Sequence, residues 1–325
     1  MKKFVYPTCV NTFKNWLKLK PQYLYKYSEL GYPRPFDITL KDGLQSLPLE
    51  EQYQINTLNK KTILDDIINK EKPFAIELGS LASPKLVPAM KDNMKFFNFA
   101  YNFYKKREIT KPYFFIYLYT EKQLDNLIDA DLNHNISLST SLTNSFQYYS
   151  TKQNILSKKK EMNNIIYKLD NLCYNRDIIT LPYPQIKLYI NCFNSCPFEG
   201  KLDNDYIVDE ICRYYTYMKP DILCLKDTCG TIDKKNFNYI INKCIENGVS
   251  PNKIALHLHY LNGKKDKTTE IIHSAIDKKI TMFDVSSIVG GGFPNNNINI
   301  NIKNTPNNLT YELFYKSIVD YIVKY

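Results

Sequence analysis

Two of the chain's four histidines, His257 and His259, stand one residue apart in "KIALHLH". On a β-strand, residues i and i+2 face the same side, so both imidazoles can reach one ion. Asp42, in "DITLKDGLQ", follows another apolar run and would add a carboxylate from across a barrel. A mixed nitrogen and oxygen donor set with open positions suits Mg²⁺ or Mn²⁺. The plainer alternatives are two histidines held by hydrogen bonds inside a fold, and a polar turn at Lys41-Asp42 after a strand.

These residues need elements to bring them together. Eight short runs rich in β-branched and aromatic residues occur at 35–40, 73–79, 113–119, 135–140, 186–192, 221–226, 253–259 and 280–286. That content suits strands buried on both faces. Longer segments with helical periodicity separate them. Residues 57–70 place Leu58, Ile63, Leu64, Ile67 and Ile68 on one stripe, and segments 206–218, 234–247 and "LTYELFYKSIVDYIV" behave similarly. Strands alternating with helices predict an α/β fold, a (β/α)8 TIM barrel. An open doubly wound sheet is second, lowered by the lack of G-x-G-x-x-G after the first strand.

A barrel places its chemistry at the C-terminal ends of its strands. The residues found there are polar: Lys41, Asp42 and Gln45 after the first strand, and Glu77 and Ser80 at the second. Asn191 follows the fifth, and Lys226, Asp227 and Thr228 close the sixth. The eighth leads into "IVGGGFP", where glycines allow backbone to approach a ligand closely, although a flexible connection reads the same way.

Composition narrows the partners. The 325 residues are 44% hydrophobic, enough for a sizeable core, and no apolar run is long enough for a membrane span. The net charge of +10 comes from 39 Lys and only four Arg, spread along the chain. No basic cluster interleaved with aromatics suggests nucleic acid; a diffuse positive field favours a small anionic substrate. Eight cysteines form no compact disulfide framework or zinc pattern, and Cys192 and Cys196, spaced C-x3-C, lack a second pair. Reduced thiols fit an intracellular compartment. The N-terminal stretch is Lys-rich rather than Arg- and Ser-rich, so cytoplasm is favoured over mitochondrion.

Several ordered segments resemble 3-hydroxy-3-methylglutaryl-CoA lyase, among the metal-dependent TIM-barrel lyases and Claisen-type synthases. They are "LKDGLQ", "IELGSLASPKLVPAMKD", "CFNSCPFEGKL", "LKDTCG", "LHLH" and "PNNLTYELFY", spanning about residues 35 to 315. The resemblance implies one barrel domain over 35–325 with an N-terminal extension, 1–34. It implies Asp42, His257, His259 and Asn307 as ligands of Mg²⁺ or Mn²⁺, and Gln45, Glu77, Ser80, Asp227 and Thr228 as substrate contacts. Lys41, Asp42 and His257 become the catalytic candidates. The implied reaction is retro-Claisen cleavage of 3-hydroxy-3-methylglutaryl-CoA to acetyl-CoA and acetoacetate, with an acyl-CoA or related hydroxy acid as the substrate class, and a homodimer is compatible with it. Three positions depart from the family pattern. Lys41 stands for an arginine, keeping the charge but not the bidentate fork. Phe293 stands for a reactive cysteine, and Tyr260 for an acid. Arg34 lies before the first strand, near the opposite barrel end. The alternative is a metal-binding pseudoenzyme or binding module on the same barrel.

Overall fold

Eight parallel strands close on themselves: β1 (Arg34–Asp37), β2 (Ala75–Ser80), β3 (Tyr113–Tyr117), β4 (Asn135–Ser141), β5 (Ile186–Asn191), β6 (Ile222–Lys226), β7 (Ile254–His257) and β8 (Met282–Val285). Each pairs with its sequence neighbours, and β1 returns to β8 with Arg34 opposite Met282 and Asp37 opposite Val285. The closed ring bears out the (β/α)8 expectation and rules out the open sheet. In this computed structural model the residues described are 7–105, 112–132, 134–175, 184–291 and 306–324.

Alternation along the strands separates two environments. One set of side chains faces outward beneath the helices: Ile76 and Leu78, Leu188 and Ile190, Leu223 and Leu225, Phe283 and Val285. The other set fills the barrel interior: Phe36, Ala75, Phe115, Tyr117, Tyr189, Cys224, Ala255 and Met282. Polar residues sharing that inward phase follow toward the C-terminal ends. They are Glu77, Lys226, His257 and Asp284, each two residues beyond an interior apolar neighbour, while Lys187 shares the phase two residues before Tyr189, deeper in the barrel. The fold therefore buries a charged cluster at the strand ends above an apolar plug.

The helices follow ordinary rules. Asp203 and Asp233 cap helices Asn204–Met218 and Lys234–Glu246 through backbone amides of Tyr206 and Asn236. The segment from residue 57 departs from its predicted stripe. Helix Thr57–Asp66 widens into a π-helical turn at Ile67–Glu71; Leu64 and Ile67 are buried while Leu58 faces solvent. Within residues 1–34, helices Val10–Leu17 and Pro21–Glu29 pack onto the C-terminal helix Tyr311–Lys324. Phe13 stacks on Tyr315 with ring centroids 4.9 Å apart, and Lys26 donates to the Ile322 carbonyl. No helix among the described residues is long and apolar enough to cross a membrane.

Candidate active site

Strand β1 ends at Asp37, three residues before the predicted boundary. The fully buried Asp37 carboxylate accepts bonds from the Thr39 backbone and hydroxyl, both 2.9 Å, and from the Tyr311 hydroxyl at 2.7 Å. Burial still pushes its pKa up to about 6, against those bonds. This anchor curls Thr39–Gly43 into a π-helical turn, which turns Lys41 and Asp42 over the barrel mouth. Gly43 packs there with no room for a side chain: a Cβ would lie 2.9 Å from the Ser286 hydroxyl.

Asp42 is held between two ammonium groups. Lys41 Nζ bonds one carboxylate oxygen, and Lys226 Nζ, at the end of β6, lies 2.7 Å from the other. Burial pushes the Asp42 carboxyl up, but the charges of Lys226, Lys41 and His257 outweigh it and hold the group well below the usual range. Lys41 moves in the opposite direction: burial lowers its pKa, Asp42 outweighs that, and it stays protonated.

The two histidines have fixed orientations. His257 Nδ1 lies 3.0 Å from Asp284 Oδ2, and His259 Nδ1 lies 2.8 Å from the Asp227 carbonyl. A carbonyl can only accept, so His259 Nδ1 carries the proton and its Nε2 is unprotonated. The Asp284 carboxylate favours the same arrangement at His257. The two Nε2 atoms converge to 3.3 Å, and His257 Nε2 lies 3.4 Å from Asp42 Oδ2. Burial, then the nearby Lys226 charge, lowers the His257 pKa to about 4, so it is neutral near pH 7. Burial, then His257 and Lys226, lowers that of His259 as well.

These facts test the fit of a divalent ion. Ligands about 2.0–2.1 Å from one ion sit about 3.0–3.4 Å from one another, the spacing of His257 Nε2 from His259 Nε2 and from Asp42 Oδ2. Carboxylate and carbonyl partners on the far ring nitrogens are also usual behind ligating histidines. The carboxylate is contested, because both its oxygens already meet lysine. Among the described residues no three His, Cys, Asp or Glu side chains are grouped to hold an ion as they stand. The donors therefore fit an ion by type and by these two spacings, and holding one requires Asp42 to be shared with the ammonium groups.

Above this floor opens a cavity of about 440 Å³, lined by Lys41, Asp42, Gln45, Tyr117, Tyr119 and Lys226 among others. Thr228 reaches it too, while its hydroxyl accepts from the Cys192 amide at 2.8 Å. Gln45 presents a side-chain oxygen with no partner among the described residues. Other predicted contacts sit elsewhere. Glu77 is fully buried behind the cavity, beside the Tyr189 hydroxyl at 3.3 Å, and its pKa is raised by burial against the opposing Lys41 charge. Ser80 is buried, its carbonyl accepting from Asn93. Asp227 faces away from the cavity: its carboxylate accepts from the Thr231 and Ile232 amides and shapes the turn after β6. Its carbonyl is the part that serves the site, by orienting His259.

Asn307 is half-buried and donates to Asn262 at 2.9 Å. Asn308, not Asn307, stands opposite His259 in a two-residue antiparallel pairing, fully buried, with an unpartnered amide oxygen. Gly291 packs against it so closely that a Cβ would lie 2.7 Å from the Asn308 backbone nitrogen. Close approach of backbone is thus what the second glycine of "GGG" permits. Phe293 lies outside the described residues. Tyr260 is buried beneath the Lys265 ammonium, 5.4 Å from its ring centre.

The eight-stranded parallel barrel is shared with several solved lyases. The hydroxymethylglutaryl-CoA lyase of Pseudomonas aeruginosa superposes with a TM-score of 0.69 at 19% identity, covering 89% of this chain and 86% of that one. The Brucella melitensis HMG-CoA lyase gives 0.64 at 17% identity, over 90% and 91%. The Acinetobacter baumannii HMG-CoA lyase, solved with coenzyme A and 3-methylmalate, gives 0.64 at 17% identity over 89% of each chain. At these identities the likeness establishes the shared fold. No family model matches the sequence, and no curated protein matches it.

Proposed function

We propose that the protein is a divalent-metal-assisted carbon–carbon lyase that cleaves a 3-hydroxyacyl-CoA of the 3-hydroxy-3-methylglutaryl type. The observation that carries this reading is the approach of His257 Nε2 to both His259 Nε2 and Asp42 Oδ2, with Asp42 and its partner Lys41 lining the cavity. The shared barrel of the HMG-CoA lyases supports it. So does the coenzyme A and 3-methylmalate complex of one of them.

Asp42, His257 and His259 would hold the ion, with the Asn308 amide oxygen in reach of that group by its pairing with His259. When bound, the ion supplies a Lewis acid that lowers the pKa of a substrate hydroxyl. The residues themselves handle protons and charge. With the His257 Nε2 lone pair committed to the ion, the Asp42 carboxylate would be the acceptor for the hydroxyl proton. As the carbon–carbon bond breaks, its electrons move toward the thioester oxygen, where the Lys41 ammonium opposes the developing charge. Tyr117 and Tyr119 line the same cavity, and burial keeps both phenols protonated, so a proton source stands near the enolate carbon. Lys41 occupies the position of the family's arginine and keeps its charge, with one ammonium point in place of a fork.

Acetyl-CoA release from 3-hydroxy-3-methylglutaryl-CoA with Mg²⁺ or Mn²⁺ tests the reading. Turnover above background is expected, with a loss of about 1000-fold or more in His257→Ala together with loss of Mn²⁺ binding. A parent protein that binds the ion and releases nothing would overturn it. That outcome matches the second reading, a binding module without turnover, which one observation favours: both Asp42 oxygens are already paired with lysine.

A further inference from the structure

Lys226 has no role in the reaction described above, yet it occupies the centre of the site. It ends β6 in the inward phase, two residues beyond the buried Cys224. Its ammonium touches Asp42, and its side chain retains 11% exposure toward the cavity. Lys41 mirrors it on the other Asp42 oxygen, with 9% exposure. The charged residues lining the cavity are Lys41, Lys152, Lys226 and Asp42, three cations to one anion. Gln45 adds a bare side-chain oxygen on the same wall. A cavity of about 440 Å³ suits a small ligand.

A lone carboxylate between two ammonium groups leaves each with donors to spare, since an ammonium carries three. Both lysines line the cavity, so a carboxylate placed beside them would receive charge-assisted bonds from both. We propose that Lys226 and Lys41 form an ammonium clamp that binds the carboxylate of a small hydroxy acid directly, with no ion between them. The clamp rests on reading this cavity as the substrate site, and it makes Lys226 a substrate-contacting residue. It also assigns the excess positive charge of the cavity to ligand capture.

The test is calorimetric titration of chelator-treated protein with 3-hydroxy-3-methylglutarate. Binding without added metal is expected. Lys226→Met should weaken it by about 10- to 100-fold, and Lys226→Arg should keep it within a few-fold. If Lys226→Met does not fold, the uncharged diamide of the same acid serves on the parent, where at least a tenfold loss is expected. Parent binding that appears only with Mg²⁺, Lys226→Met binding like the parent, or the diamide binding like the acid would each overturn the clamp. Acetyl-CoA release is read separately. Binding that depends on Lys226 without release sinks the lyase reading and leaves the clamp; release with binding indifferent to Lys226 does the reverse.

Discussion

Two lysine–carboxylate groupings lie inside the barrel, and they differ in where their charge can go. The deeper one is Lys187 with Asp284, 2.5 Å apart, both side chains fully shielded from solvent. Lys187 also lies 3.3 Å above the Phe36 ring. The Asp284 carboxylate also holds His257 Nδ1 and accepts from the Cys224 thiol at 3.6 Å. The upper grouping is Lys41, Asp42 and Lys226, each about a tenth exposed to the cavity. The lower pair is balanced and closed; the upper trio has an extra cation and an opening. His257 joins them, with one ring nitrogen on each carboxylate. The same residue types therefore serve architecture below and ligand chemistry above, as the barrel fold separates stability from activity along its axis.

Breaking the lower pair should have the largest effect on folding. Lys187→Met strands a buried carboxylate, which costs about 3–5 kcal/mol when a buried pair loses one partner. Urea denaturation should show that loss. Lys226→Met should change stability by about 1 kcal/mol or less, because Asp42 keeps Lys41 and some access to water. If the two substitutions cost the same, the distinction between the levels is wrong.

A smaller, sharper effect is expected from Asp42→Asn. Removing the carboxylate leaves two ammonium groups facing each other, a loss of about 1–3 kcal/mol in urea denaturation. Yet the freed donors should bind 3-hydroxy-3-methylglutarate more tightly in chelator-treated protein, while Mn²⁺ binding falls. Weaker binding of both ligands would mean that Asp42 organises the lysines and does not merely compete for them.

Behind the histidines, Asp284→Asn should weaken Mn²⁺ binding by about 10- to 100-fold, the usual consequence of disturbing a partner of a ligating ring. Unchanged affinity would show that the lower pair does not reach the mouth through His257.

The barrel was legible because its signal is local. Runs such as "DILCLK" and "KIALHLH" carry their strand character within six or seven residues, and strand alternation alone places His257 and His259 on one face. Contacts between distant segments were not legible. The predicted strand through Leu40 stops at Asp37 because Tyr311, far along the chain, helps fix that carboxylate. Lys226 reads only as a polar strand end until Asp42 arrives from β1 to meet it. Asp227 reads as a substrate contact, and which of its groups meets the site is set by the fold, which turns its backbone carbonyl onto His259. A one-residue choice between Asn307 and Asn308 depends on strand register, which neighbouring sequence leaves open.

The smallest expected effect concerns His257 itself and couples the two levels through charge. Its pKa of about 4 lies below the ordinary value of about 6.5 because of burial, then Lys226. The unfolded chain thus takes up this proton first as pH falls. The stability due to neutral His257 is complete above about pH 6.5 and is lost as pH falls toward about 4. Removing the Lys226 charge in Lys226→Met should raise the His257 pKa by up to about one unit, measured from its ring resonances in an NMR titration. Acid destabilisation would then be gentler across the same window. Lys187→Met should act on His257 differently: without that lysine the Asp284 carboxylate is uncompensated beside Nδ1, which also favours the imidazolium and raises the pKa, but at a cost in folding that Lys226→Met does not carry. An upward shift in both variants, with a large stability loss in only one, is the pattern expected if His257 reads the charge of both levels. A downward shift in Lys226→Met would show that the ammonium does not act on the ring.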